Sequence, residues 1–293
     1  MIIRKVLMSI PKNHHYISQV HIKNFFNNEK KEIYLYDKQK ENHFAKKTTK
    51  SIFSEKNLNT KLKNKDYDYS SVEQQLNDHF ERDFASSFEI VSQFINDKIR
   101  TVEFDNAIIY FAKYAVISEL RTPFRKRNTD EAIYKGLSII KDMGEDKLKK
   151  NFEEYFSFND ERKYSNAVNY IDFSQKVLNS MGEIFFVIET PQNENDFYFL
   201  PDFGAATTRA KINSYFNPDV KEIAYIGIPI SSKIYIHFYS SKLNNKINHS
   251  RLAIVDSEIV FRLNKMNFDY SNQIIACESK GHIEEFINTI SKY

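Results

Sequence analysis

Residues 104–127 read FDNAIIYFAKYAVISELRTPFRKR. From Ala107 to Leu120 this segment is apolar nearly all round, which predicts a helix buried at the centre of the fold. Asp105 is the predicted N-cap of this helix, and Pro123 is expected to end it. We therefore expect the other elements to pack around this central helix.

Arg121 lies on a helix face that is apolar in the preceding turns, so its side chain is expected to be buried. A buried guanidinium needs an anionic partner. In one interpretation it is a structural cation at a helix C-terminus, paired with Glu81 or Asp202. In the other, its planar guanidinium binds a phosphate or the charge of a phosphorane, and Thr122 adds a hydroxyl donor. The sequence leaves both interpretations open.

A basic run of Arg125, Lys126 and Arg127 follows the predicted helix. Such a run would attract a polyanion, although basic runs are usually solvated faces. The net charge of +3 and the pI near 8.6 are only mildly basic, far below the values of domains that coat nucleic acid without specificity. Any contact with RNA or a nucleotide would therefore have to be local.

The helix predicted for residues 70–98 has large apolar side chains at three- and four-residue spacing. Ser70 and Glu73 fit a capping box at its start. Glu81 falls at the edge of the apolar stripe and should be partly buried. In a structural role, Glu81 would be the ion-pair partner of an arginine.

The other segments differ in periodicity. Residues 32–47 alternate as a strand followed by a hairpin or short loop, whereas residues 55–69 are polar and predict an exposed connection. Residues 131–181 have weaker helical patterns. Four apolar stretches then predict an antiparallel sheet, and helical or mixed character returns after Ser250; the stretches are GEIFFVIETP, DFYFLPDFG, EIAYIGIPI and SKIYIHFYS.

This order of elements is typical of an α+β fold rather than an alternating βαβ fold. We predict a single α+β domain over residues 1–293, with an N-terminal β segment at 1–66. A helical region with the buried central helix covers 67–181, and a C-terminal antiparallel sheet with closing helices covers 182–293. The hydrophobic content of 41% is sufficient for such a core.

Composition argues against several classes of protein. The chain has 6 glycines and neither a GxGxxG nor a GxxxxGK[ST] motif, so a dinucleotide fold or a P-loop ATPase is not expected. Cys277 is the single cysteine; it excludes an intrachain disulfide and is predicted to be a core residue. No apolar run approaches the ~20 residues that span a bilayer, and no signal peptide is recognisable. We expect a cytoplasmic protein without a membrane partner.

Residues 13–26 read NHHYISQVHIKNFF, a segment too apolar for a solvated terminus. His14 and His15 cannot both face one way in a strand, because successive side chains alternate. One histidine either bonds a backbone carbonyl and holds the segment on the core, or serves as a general acid or base or as a metal ligand. We expect an ordered segment, with His15 within reach of Arg121 or of a carboxylate.

Asp202 follows directly on the strand predicted for residues 197–200. Strand ends can present catalytic groups on a rigid edge. The structural alternative is a turn-forming aspartate ahead of Gly204.

Several short stretches occur in an order that resembles a bacterial family catalogued as domain of unknown function 4238. They are HHYISQVHIKNFF, EIYLYDK, ERDFA, ELRTP, FYFLPDFGA, IPIS, EIVFRLN and NQIIACES, and the resemblance covers nearly the whole chain. The family usually has proline where Ser18 stands, and Asn-Pro in place of Phe203-Gly204. The resemblance implies a scattered bacterial distribution but no activity. The positions kept are His14, His15, Tyr16, Phe25, Arg121, Thr122, Pro123 and Asp202.

A histidine, two carboxylates, an arginine and a threonine are the components of phosphodiester cleavage, with or without a divalent metal. We hypothesise a nuclease or nucleotide-cleaving phosphodiesterase of a bacterial toxin or phage-defence system, which acts on RNA or a nucleotide beside a companion protein. The alternative is a non-catalytic binding or regulatory module in which these side chains form a buried structural network. The catalytic candidates are His14, His15, Glu81, Arg121 and Asp202, and the substrate-binding candidates are Tyr16, Thr122, Arg125 and Arg127.

Overall fold

The computed structural model describes residues 12–63, 66–155, 166, 168–213, 220–243 and 249–292. Its helices and sheets form an α+β fold, which confirms the predicted fold class. The N-terminal elements are β1 (Asn13–His15), α1 (Gln19–Lys23), β2 (Ile33–Asp37), β3 (Asn42–Lys46), β4 (Ser54–Lys56), β5 (Lys61–Lys63) and β6 (Asp66–Asp68).

Helices form the middle of the chain, and most of the strands of the large sheet follow. The helices are α2 (Ser71–Leu76), α3 (Phe84–Asp97), α4 (Val102–Leu120), α5 (Pro123–Met143), α6 (Asp146–Tyr155) and α7 (Tyr170–Met181). The C-terminal elements are β7 (Ile184–Pro191), β8 (Leu200–Pro201), β9 (Ala206–Ala210), β10 (Glu222–Ser231), β11 (Ile234–Ser240), β12 (Arg251–Val255), α8 (Ser257–Tyr270), β13 (Ile274–Cys277) and α9 (Lys280–Ile290). None of the described helices is long and apolar enough to cross a membrane.

The central helix α4 is buried as predicted, but its N-cap is not Asp105. The Thr101 hydroxyl accepts a hydrogen bond from the Phe104 amide at 3.2 Å, while Asp105 pairs with Arg100 at 2.7 Å. The helix begins earlier than the apolar pattern, because Val102 and Glu103 are exposed beside the buried Phe104, and a turn of mixed exposure gives only a weak periodicity. Its end before Pro123 is as predicted, since this proline is the first residue of α5.

The helix predicted for residues 70–98 is interrupted by a π-helical turn at Asn77–Glu81. The predicted capping box does not form, because the Ser70 side chain makes no cap hydrogen bond. Glu73 instead accepts a hydrogen bond from the side-chain amide of Asn59. A tertiary partner has therefore replaced the local one. π-Helical turns are rare, and they occur frequently at functional sites.

The large sheet has the strand order β12-β7-β11-β10-β9. One face, which includes Ile188, Ile226, Ile236 and Phe238, packs on α4 in the main hydrophobic core. Its pairs are antiparallel except β12 with β7, which is parallel, so the predicted antiparallel sheet is in fact mixed. The parallel strand comes from the chain after Ser250, where helical or mixed character was predicted.

A smaller sheet, β3-β2-β13-β8, joins strands from both ends of the chain. Helix α9 covers one side, with Ile283 and Phe286 in contact with the strands. The strand predicted at residues 197–200 is reduced to β8, since the amides of Tyr198 and Phe199 donate to the Ser232 carbonyl and the Asn264 side chain rather than to a strand.

Residues 55–63 and 66–69 are only in part the exposed connection that their polarity predicted. They contribute to β4, β5 and β6, and Leu58, Asn59 and Thr60 are buried between these strands. The Asn59 amide donates to Nδ1 of His14 at 2.8 Å. The donors of Asn59 are satisfied by His14 and Glu73, whereas Asn59 Oδ1 and Thr60 Oγ1 are buried without a hydrogen-bond partner among the described residues.

The opening segment is ordered, as predicted. Ile22 and Phe25 are fully buried, and Phe26 packs partly buried against the same cluster. His21 is also buried, and its Nε2 donates to the Pro229 carbonyl at 2.6 Å. The segment thus connects the small N-terminal strands to the large sheet.

The stability of the fold should depend on pH through His21. Burial lowers the pKa of His21 from 6.5 to about 4, against the opposing effect of its bond to Pro229. In the unfolded chain this histidine gains a proton below pH 6.5, whereas in the folded chain it stays neutral until about pH 4, so stability falls as the pH drops through this window. From pH 7 to pH 5 the loss should be about 2 kcal/mol from this residue.

Urea denaturation at the two pH values tests this. Replacement of His21 by Gln keeps a donor for the Pro229 carbonyl but removes the group that titrates. Between pH 7 and pH 5 the variant should therefore lose about 2 kcal/mol less of its free energy of unfolding than the native chain does. An equal loss in both proteins would contradict the assignment to His21.

Candidate functional site

Arg121 ends α4 and is sealed inside the protein, with 2% of its side chain exposed. Its Nη1 donates to Glu81 at 2.7 Å, and its Nη2 donates to the carbonyl of His15 at 2.5 Å. Its Nε has no hydrogen-bond partner among the described residues. The anionic partner predicted for Arg121 is therefore present, and it is Glu81 rather than Asp202.

The surroundings of Arg121 keep its guanidinium charged. Burial, the largest influence, lowers the pKa of Arg121, but the charges of Glu81 and Glu73 and the Tyr114 phenol together raise it above its usual value. Glu81 is carried by the π-helical turn and keeps 22% of its side chain exposed. The ion pair is thus accessible from the carboxylate side only.

Further polar groups surround this ion pair. Lys126 and Asp130, one turn apart on α5, form an ion pair at 2.6 Å in which both side chains are largely buried. Burial raises the pKa of Tyr170 to about 12, with smaller electrostatic influences from Arg121 and Asp130. Buried charges of both signs therefore balance one another in this network, as expected of a structural centre.

The two histidines face opposite ways, as strand alternation predicted. His14 is buried against Asn59. The His15 ring lies within hydrogen-bond distance, 2.9 Å, of the Thr49 carbonyl, and only the backbone carbonyl of His15 contacts Arg121. His15 is thus close to Arg121, but its imidazole is directed elsewhere.

Asp202 does not join the Arg121 network. Its carboxylate accepts hydrogen bonds from the amides of Asn272, Gln273 and Ile274 at 2.9, 2.7 and 3.0 Å. Burial raises the pKa of Asp202, against the opposing effect of these amides. These bonds hold the start of β13, so the contacts of Asp202 are structural, but they join a distant segment rather than form the side-chain turn ahead of Gly204 that the sequence suggested.

The stretches that carry the family resemblance nevertheless converge in space. Gly204 has φ of +71° and lies against α4, where an added Cβ would be 3.1 Å from Ser118 and 3.6 Å from Ile17. Burial raises the pKa of Tyr16, with a further contribution from the charge of Asp202. The segments HHYIS, RTP and PDFG therefore surround the C-terminal end of α4.

Residues 13–281 match the family model described as "Protein of unknown function (DUF4238)". The chain belongs to the DUF4238 family. No curated protein and no solved structure matches it. In this DUF4238 protein, the chemistry of the site must therefore be inferred from its own side chains.

A cavity of about 390 Å³, here called the edge cavity, opens where the RTP and PDFG segments meet. It lies beside β9, the edge strand of the large sheet, between the corner from α4 to α5 and the end of α8. This volume falls within the range of small-molecule sites. Its lining includes Glu119, Thr122, Phe124, Arg125, Tyr225 and Tyr270.

Arg125 provides the cation of the edge cavity. Its Nη2 is 2.6 Å from Glu119 Oε1, and 47% of its side chain is exposed. Glu119 also accepts a hydrogen bond from Thr207 on β9, so Arg125 is fixed to the sheet edge. The Thr122 hydroxyl caps α5 and donates to the Glu119 carbonyl, which leaves it a positioning role at this corner.

Tyr225 connects the edge cavity to a buried histidine that the sequence analysis missed. The Tyr225 ring lines the cavity, and its hydroxyl is 2.8 Å from Nδ1 of His237. Nε2 of His237 is 3.2 Å from Glu189. The order of hydroxyl, histidine and carboxylate resembles the arrangement that activates a hydroxyl in nucleophilic catalysis, but His237 Nε2 and Glu189 Oε2 make no hydrogen bond to each other.

The sequence carried a signal for this group. In SKIYIHFYS, the residues Tyr235, His237 and Tyr239 alternate with Ile234, Ile236 and Phe238, so one face of β11 is polar and aromatic. Gly227 leaves space on the same face, because a Cβ there would collide with the Tyr225 hydroxyl.

Only Thr122 and Arg125 of the candidate residues line the edge cavity; the five catalytic candidates lie outside it, and so do two substrate-binding candidates, Tyr16 and Arg127. Arg127 is exposed and pairs with Glu55 at 2.7 Å, and the Tyr16 ring packs edge-on against the Phe53 ring.

Cys277 is buried, which raises the pKa of its thiol to about 12, so it remains a protonated core residue. Among the described residues, no group of three or more His, Cys, Asp or Glu side chains could hold a metal ion.

Two arginines four residues apart allow a matched test of the network. Arg121→Ala leaves a largely buried carboxylate without its partner and should lower the free energy of unfolding by about 3 kcal/mol. Arg125→Ala removes a half-exposed guanidinium and leaves Glu119, whose side chain is 12% exposed, with the Thr207 hydroxyl as a remaining partner, so it should cost less, about 1–2 kcal/mol. Urea denaturation of both variants measures the difference. Equal losses would contradict the structural role of Arg121.

Proposed function

We propose that this DUF4238 protein binds a nucleotide unit in the edge cavity and cleaves its phosphodiester bond, as a nuclease or nucleotide-cleaving phosphodiesterase. The observation that carries the proposal is the position of Arg125, an exposed guanidinium fixed by Glu119 beside a cavity with aromatic rims. Arginine suits phosphate because its planar fork donates two hydrogen bonds in parallel.

Exposed aromatic rings support a nucleobase as the neighbour of that phosphate. Phe124 and Tyr270 line the cavity with 51% and 69% of their surface exposed. Aromatic side chains on nucleic-acid-binding surfaces stack on bases, and each stack contributes about 1–3 kcal/mol. A nucleotide whose base stacks on Phe124 or Tyr270 and whose phosphate binds Arg125 would use both the aromatic rings and the cation of the site.

Tyr225 and His237 are the groups proposed to transfer protons. The attacking water or hydroxyl gives its proton to the Tyr225 oxygen while the Tyr225 proton moves to His237. Glu189 stabilises the resulting imidazolium. The new P–O bond forms as the bond to the leaving oxygen breaks, and that oxygen takes a proton from water. After this cleavage the imidazolium returns its proton to the hydroxide left by the water that protonates the leaving oxygen.

A second candidate function is a non-catalytic binding or regulatory module. It is favoured by the sealed position of Arg121 and by the three amides that occupy Asp202. This candidate shares the nucleotide ligand and predicts that binding occurs without cleavage. The cellular setting of the enzyme candidate, a bacterial toxin or phage-defence system with a companion protein, rests on the scattered distribution that the resemblance implies.

Binding of a nucleoside monophosphate should depend on Arg125. Arg125→Ala removes the charge-assisted contacts to the phosphate and should weaken binding roughly tenfold or more. Isothermal titration calorimetry measures the affinity. Arg100→Ala is the matched control, because Arg100 is also an exposed arginine in an ion pair, at the opposite end of α4. Equal affinities for the Arg125 variant and the native chain would refute this site.

Cleavage should depend on the Tyr225 hydroxyl more than binding does. Tyr225→Phe keeps the ring in the cavity wall and should lower kcat on short RNA by about 10²–10⁴-fold, the usual contribution of acid–base catalysis, with little change in affinity. Tyr239→Phe removes a neighbouring phenol from the same sheet face and should retain activity. A native chain that binds nucleotides but cleaves none would instead support the regulatory module.

A further inference from the structure

A second cavity, of about 420 Å³, lies on the other side of the Glu119–Arg125 pair. The two cavities share Glu119 and Arg125 in their linings. The second one is enclosed by α4, α5, α7 and the start of β10, and it also reaches the edge strand β9. A ligand group held by Arg125 therefore has space on both sides.

Arg209 gives the second cavity a cation of its own. It is exposed on β9, two residues beyond the Thr207 that binds Glu119, so the two side chains point to the same face of the strand. Among the described residues no ion pair involves Arg209, in contrast to Arg125. A phosphate would thus meet an arginine that pairs with no acidic side chain in the part of the chain that the structure describes.

The remaining lining suits a polar ligand with an apolar part. Asn128 and Thr129 lie three and four residues after Arg125 on α5, so all three project from one helix face. They offer an amide and a hydroxyl for hydrogen bonds to a sugar or phosphate. Phe173 on α7, partly buried, contributes an apolar ring opposite them.

We infer that the ligand is a single-stranded oligonucleotide that crosses the edge of the sheet, with one phosphate at Arg125 and the adjoining phosphate at Arg209. This inference rests on the proposed function and specifies its substrate class. One nucleotide occupies the edge cavity, and the next occupies the second cavity. A duplex does not fit this arrangement, because its bases are stacked and paired rather than available to an aromatic cavity.

The test compares ligands of different length. Fluorescence anisotropy gives Kd for a nucleoside monophosphate and for RNA and DNA strands of two to four nucleotides. The native chain should bind the dinucleotide roughly tenfold more tightly than the mononucleotide, which corresponds to ~1.4 kcal/mol. Arg209→Ala should abolish this gain, leave the Kd of the mononucleotide within about twofold, and reduce the salt dependence of strand binding by about one unit of slope.

Arg251→Ala is the matched control, because Arg251 is exposed on β12, the opposite edge of the same sheet. It should bind every ligand as the native chain does. A native chain that binds the mononucleotide but gains nothing with length would overturn the inference and leave the proposed function intact. So would an Arg209 variant that keeps the gain. Failure of the native chain to bind even the mononucleotide would refute the proposed function itself.

Discussion

The burial of the Arg121 guanidinium is the constraint on which the rest of the structure depends. A charge that has left water must find compensating partners, and this one takes the carboxylate of Glu81 and the carbonyl of His15. These partners come from the interrupted helix and from the opening strand. A single side chain at the end of α4 thereby orders three segments that are far apart in the sequence.

The sharp corner after Arg121 positions the proposed binding site. Because α4 ends there and α5 starts at Pro123, Glu119 and Arg125 come from different helices yet face each other at 2.6 Å. The Thr207 hydroxyl links this pair to the edge of the large sheet. The buried network is therefore best understood as the support of the site, and the half-exposed arginine beside it as the part that can meet a ligand.

The two faces of the large sheet have different roles. The face toward α4 is packed with isoleucine and phenylalanine and contributes stability. The other face carries Tyr225, which is hydrogen-bonded to His237, and Glu189, whose carboxylate lies 3.2 Å from His237 with no hydrogen bond between them. Apolar side chains at these three positions would be buried at a lower desolvation cost. The presence of ionisable side chains beside the edge cavity is therefore the feature that favours a catalytic role.

The sequence by itself determined the elements whose signal is local: the buried central helix, the helical end before Pro123, the alternation of His14 and His15, and the α+β order. The spacing of apolar residues shows which face of a helix or strand is buried. It does not show which element packs on that face, because the same face would be buried in any packing of these elements. It could not determine which carboxylate pairs with Arg121, because Glu81 lies 40 residues away and Asp202 was equally suitable in charge. Only the tertiary structure decided that Asp202 holds the start of β13, that Glu73 binds Asn59 instead of capping its helix, and that Arg125 rather than Arg121 faces a cavity. Each of these outcomes depends on the packing of distant segments, and the energies of such contacts exceed the local preferences from which a sequence is interpreted.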